Sequence, residues 1–144
     1  MRITNRVALL LVLLAFAFCP LARALASNRI EATPQAKAYG VLLKAVAAGD
    51  FEGYKKAMTK ASAKGINEQI KQSGMDPKKG MEILKAMAPT DLTLTALNVD
   101  PKDARKATLE ATGKMGGELN HGTIALEQED GQWKVANQSW TNKK

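Results

Sequence analysis

A chain of 144 residues, 45% hydrophobic and 24% charged, amounts to about one globular domain. Its formal charge is +7, yet basic and acidic residues are interspersed, as "YKKAMTKASAK" and "EQED" illustrate, and no block of like charge makes a nucleic-acid or membrane patch. One histidine and one cysteine exclude a closed zinc site of the usual kind.

The first residues read as an address. Arg2 and Arg6 form a basic start, Val7 to Phe18 is an unbroken apolar run, and Pro20 ends it. Small residues in Ala24-Leu25-Ala26 suit a signal peptidase, with cleavage expected after Ala26 or after Ala24. A retained anchor is the weaker reading, because the uncharged stretch 7–22 falls short of the roughly 20 residues that a spanning helix needs. Cys19 follows Phe18 rather than a small residue, which argues against lipid attachment. The expected organisation is a signal peptide over 1–26, a flexible segment over 27–33, a folded domain over 34–141 and a tail over 142–144. The mature chain is then exported, periplasmic or secreted, with no cysteine and no stable membrane anchor. Loss of Arg2, Arg6 and Arg23 lowers its charge from +7 to +4.

Residues 34–88 read as helical. Thr33-Pro34 is a cap followed by proline at the first helical position, and Tyr39, Leu42, Leu43 and Val46 recur at helical spacing until Gly49. Asp50 caps a second helix whose Phe51, Tyr54, Met58 and Ala61 share a face, with Gly65 as its expected end. Ile66 and Ile70 suggest a short third helix ending near Ser73-Gly74. Asp76-Pro77 starts another, with Met81, Leu84, Met87 and Ala88 as its apolar stripe before Pro89.

Residues 91–140 change period. "DLTLTALNV" sets Leu92, Leu94 and Ala96 against Thr93, Thr95 and Leu97. A "DPKD" turn leads to a strand with Ala107, Leu109 and Ala111 on one face. "GKMGGEL" reads as a loop or a bulged strand end. Asp130-Gly131 is a strong hairpin signal, because a type I′ turn needs positive φ at both central residues. A two-residue loop pairs Glu129 with Gln132, Gln128 with Trp133, Glu127 with Lys134 and Leu126 with Val135. Continued without a bulge, it pairs Ala125 with Ala136, Ile124 with Asn137, Thr123 with Gln138 and His121 with Trp140. Trp133 then faces the core, and Trp140 falls on the other face.

Helices followed by strands predict an α+β domain. The "AYGVLLKAVAAGDFEGYKKAM" helices, the "PTDLTLTALNV" and "ARKATLEATG" strands and the "GTIALEQEDGQWKVANQSW" hairpin resemble the nuclear transport factor 2-like superfamily. The likeness is greatest to its small exported bacterial members, described as SnoaL-like or lumazine-binding-like, and spans residues 34 to 140. It implies a cystatin-like cone, in which N-terminal helices pack on a curved, mainly antiparallel sheet and a pocket opens at the wide end. Members include isomerases, dehydratases, epoxide hydrolases and many non-enzymatic binding modules, so the fold leaves function open.

Enzymes of that superfamily use acid–base chemistry in an apolar pocket, which needs a tuned carboxylate or histidine. The chain has His121 in "GELNHGT", with Glu118 three residues earlier. This couple is the candidate base and orienter for an isomerase, dehydratase or hydrolase; a pair at a strand edge with no catalytic role is the commoner outcome. There is no nucleophile elbow, no P-loop, no dinucleotide fingerprint and no aspartate-rich calcium loop, so neither cofactor nor metal is expected. The favoured reading is a non-catalytic exported domain that binds a small apolar molecule or an envelope protein at the open end of the cone. Its expected lining is Phe51, Tyr54, Met58, Met87, Trp133 and Trp140. The methionines fill irregular core gaps or adapt to apolar ligands. Sheet pairing into a homodimer is a third expectation.

Overall fold

A computed structural model describes residues 29–142. The expected signal peptide lies outside the described residues. Of the segment expected to be flexible, residues 29–31 are helical, Ile30 packs against the core and Thr33 Oγ1 donates to the Ile30 carbonyl at 2.6 Å.

Among the described residues, four helices follow from Pro34 onwards. α1 spans Pro34–Ala48; its cap, Thr33, accepts from the Ala36 N–H, and Gly49 closes it in the left-handed conformation at φ 69°. α2, Phe51–Ala57, is capped by Asp50, whose carboxylate accepts from the Gly53 N–H at 2.8 Å. Here the structure corrects the sequence reading. The helix ends at Met58 and not at Gly65, because Met58 is extended and bridges to Val135 of the last strand. The Thr59 N–H then donates to the Val135 carbonyl at 3.0 Å, and Thr59 caps α3, Lys60–Ser73. Gly65 lies inside α3, where a glycine costs about 1 kcal/mol relative to alanine and is tolerated. α4, Pro77–Ala86, begins at Asp76-Pro77 as expected.

Four antiparallel strands follow in chain order: β1 Thr90–Val99, β2 Lys106–Met115, β3 Glu118–Glu129 and β4 Gln132–Thr141. The "GKMGGEL" segment is a tight hairpin turn. Met115 pairs with Glu118, and Gly116 and Gly117 take φ 60° and 87° between them. Asp130 (φ 51°) and Gly131 (φ 76°) form the second such turn, and the expected pairs hold as far as Leu126 with Val135.

Beyond that pair the β3–β4 register shifts by one residue. Ala136 is the extra residue, and its carbonyl accepts from Ser62 Oγ of α3 at 2.6 Å. Ala125 then meets Asn137, Ile124 meets Gln138, Gly122 meets Trp140 and His121 meets Thr141. This corrects the straight register, and because side chains alternate, it turns Gln138 and Trp140 to the core face. A second shift in β1 places Leu94 opposite Ala111 but Leu97 opposite Leu109, so Leu97 also packs on the core side.

The core lies between the helices and one face of the sheet. Tyr39 and Leu42 of α1 and Met81 of α4 are fully buried with Leu109, Ile124, Leu126 and Val135 of the strands. Each such aliphatic side chain contributes about 1.5–3 kcal/mol by leaving water. The other face presents Lys106, Glu110, Lys114 and Thr123 to solvent. The molecule is thus an α+β domain, with its helices set against an open antiparallel sheet. Among the described residues, no helix is long and apolar enough to cross a membrane.

Candidate functional site

An apolar groove of about 270 Å³ runs between α1, the end of α4 and the end of the sheet. Leu42, Leu43 and Val46 form one wall, Leu84, Met87, Ala88 and Pro89 another, and Met115, Gln138 and Trp140 the floor. The periodicities of α1 and α4 produce the walls, since each helix turns its apolar stripe inward. The bulge at Ala136 supplies the floor by bringing Gln138 and Trp140 to this face. Met87 lies at the rim and is 58% exposed, with Ile83 one turn earlier also exposed.

Trp140 is held by two glycines. An added Cβ on Gly122 would stand 2.7 Å from its ring, and one on Gly113 would stand 3.6 Å away. The Trp140 Nε1 is buried without a partner in hydrogen-bond geometry. It lies close enough to the Tyr39 hydroxyl to favour the phenolate slightly. The Tyr39 hydroxyl donates to Gln138 Oε1 at 3.2 Å. Burial dominates the phenol all the same and pushes its pKa up to about 12, with Tyr54 nearby adding to the rise.

Of the six expected lining residues, Met87 and Trp140 reach the groove. The other four do not. Tyr54 is sealed in the core, and Trp133 packs partly buried against it. Phe51 sits under the Lys55 ammonium, 4.8 Å from the ring centre. Met58 borders a separate hollow of about 250 Å³ among Lys55, Lys56, Lys60 and Lys134. Three of the four ammonium groups there are already engaged: Lys60 with Asp130 at 2.7 Å, Lys55 with Glu52 at 2.7 Å, and Lys134 with the Lys56 carbonyl at 2.6 Å. A third hollow of about 370 Å³ at the sheet end includes Asp100, Lys106 and Glu127. Small-molecule sites are mostly apolar with a few placed polar groups, which favours the groove.

Glu118 and His121 stand three positions apart along β3, an odd offset, so their side chains leave opposite faces of the sheet. The strand therefore does not align them as base and orienter. Among the described residues, no group of three or more His, Cys, Asp or Glu side chains is placed to hold a metal ion. Gln138 is the site residue that sequence reasoning missed. The straight register sent it outward, and no turn or glycine signal in β4 marks the bulge.

Compared with known proteins, the chain matches no family model and no curated sequence. The class it belongs to by its architecture is the α+β domain with an antiparallel meander.

Proposed function

We propose that the protein is an exported, non-catalytic binding domain of the nuclear transport factor 2-like, cystatin-like cone type, and that it takes a small apolar molecule in the groove. The observation that carries this reading is the groove itself, ten uncharged lining residues with flexible Leu and Met at the mouth and an indole at the floor. Side chains of this kind reshape around apolar ligands at low cost. Export is supported by the basic, apolar and small-residue succession of the first 26 residues. The cone is supported by the order of helices before a four-stranded meander.

The test is a panel of one-ring and two-ring neutral apolar compounds, read by thermal unfolding and by tryptophan emission. Binding raises the midpoint, since a ligand that prefers the folded state stabilises it by mass action. Leu43→Trp fills the groove and removes the effect. A panel that moves neither the midpoint nor the emission would overturn the proposal.

A further inference from the structure

We infer that the groove selects a neutral, mainly apolar molecule carrying one hydrogen-bond acceptor, such as a ketone or ester carbonyl, and that the side-chain amide nitrogen of Gln138 donates to it. The inference rests on the groove being a binding site and adds the chemical class of its ligand. One contact fixes the donor. The Tyr39 hydroxyl donates to Gln138 Oε1 at 3.2 Å. The Gln138 carbonyl is thereby occupied, and the end of the amide left to the groove is its NH₂. Among the described residues, this nitrogen makes no hydrogen bond, although Gln138 lines the groove and is only partly exposed. Tyr39 keeps its proton well beyond neutral pH, so its hydroxyl remains a donor to Gln138 Oε1.

Charge and volume narrow the class. No lining residue is ionisable at neutral pH, so a carboxylate or ammonium would enter without a counter-charge, at a large desolvation cost. A volume of about 270 Å³ lies just under the usual span of ligand pockets, and a dry cavity of roughly 150 Å³ already admits benzene. A single ring with a short carbonyl-bearing tail fits.

The experiment compares acetophenone with α-methylstyrene, which replaces the carbonyl oxygen by a methylene of nearly the same shape. Both bind the wild-type protein if the groove is a site. Gln138→Leu then weakens acetophenone about fivefold relative to α-methylstyrene, the size expected of one net hydrogen bond. Tyr39→Phe, which frees the amide to turn over, reduces the same preference by a smaller factor. In ¹⁵N-labelled wild-type protein, acetophenone shifts the Gln138 side-chain NH₂ resonances and α-methylstyrene leaves them in place, a readout that needs no variant to fold. If both compounds bind but neither the variants nor the amide resonances distinguish them, the donor assignment is wrong and the groove stands as a purely apolar site. If neither compound binds, the inference is overturned together with the site on which it rests.

Discussion

Trp140 covers Gly122 across the β3–β4 ladder, and its ring fills the volume that a side chain at Gly122 would need. Glycine in a strand interior ordinarily weakens the strand, and here it makes room for the indole. Gly122→Ala should therefore destabilise the fold even though alanine costs less backbone entropy. The added methyl would meet three atoms of a ring packed against the core, and such overpacking typically costs about 1–3 kcal/mol. Thermal or urea unfolding checks this, and a variant as stable as the wild type would mean that the ring yields freely.

The indole nitrogen of Trp140 is a buried donor without a partner in hydrogen-bond geometry. Such a group costs about 1–3 kcal/mol, so removing it offsets much of the packing lost on replacement by phenylalanine. Trp140→Phe should change stability by less than about 1 kcal/mol, whereas Trp140→Ala should cost about 3–5 kcal/mol. Equal losses in the two variants would show that the nitrogen is well satisfied.

Most of the helical layer could be read from the chain because caps are local. Thr33-Pro34, Asp50 and Asp76-Pro77 each act within one turn, and each starts a helix where expected. Thr59 is also a capping residue, but the break it marks depends on Met58 and Val135, which are 77 positions apart in the sequence. Nothing near Met58 announces that a strand will pair with it. The same holds for the site. Asp130-Gly131 specifies the first pairs of its hairpin through its own φ angles, and that influence ends where Ser62 of α3 holds the Ala136 carbonyl. Gln138 and Trp140 lie beyond that point, so their face follows from the bulge at Ala136 and the packing around it and not from the turn.

Tyr39 makes the fold sensitive to strong alkali. Its hydroxyl is raised from 10.0 to about 12, chiefly by burial, and Tyr54 is raised for the same reason. A group whose folded pKa exceeds its unfolded value contributes stability that is complete below the unfolded pKa. That contribution is lost as pH climbs through the folded one. Between pH 10 and pH 12 the loss from Tyr39 should reach about 2–3 kcal/mol. Tyr39→Phe removes this limb, so wild type should lose about 2–3 kcal/mol relative to the variant between pH 10 and pH 12. Parallel midpoints for the two proteins across that window would contradict the assignment.

The start of α3 is held by a buried hydroxyl and not by its surface ion pair. Thr59 is 3% exposed, and its Oγ1 accepts from the Ser62 N–H and lies 2.8 Å from Ser62 Oγ. Thr59→Ala should cost about 1–2 kcal/mol, as capping residues do. The Lys60–Asp130 pair has both side chains 78% exposed, and such pairs gain little once water and salt screen them. Lys60→Met should leave the unfolding midpoint unmoved. Reversed ranks for the two variants would place the stabilisation in the ion pair.

The bulge at Ala136 seats the groove floor, and its effect can be reversed in one step. Inserting one alanine after Ala136 in a Trp133→Phe background leaves one tryptophan and moves the end of β4 on by one residue, with Gln138 brought opposite Thr123 and Trp140 opposite His121 on the outer face. The emission of Trp140 should shift to the red, and the protein should lose several kcal/mol, since the apolar contacts of the indole are given up and Gly122 is left beneath an empty space. Ser62→Ala in the same background makes the gentler comparison. It leaves the Ala136 carbonyl without its 2.6 Å donor and should cost about 1–3 kcal/mol while the emission stays blue. An insertion variant with unchanged emission and midpoint would mean that packing over Gly122 selects the face of Trp140 whatever the length of the bulge, and the register would then be a consequence of the indole's burial.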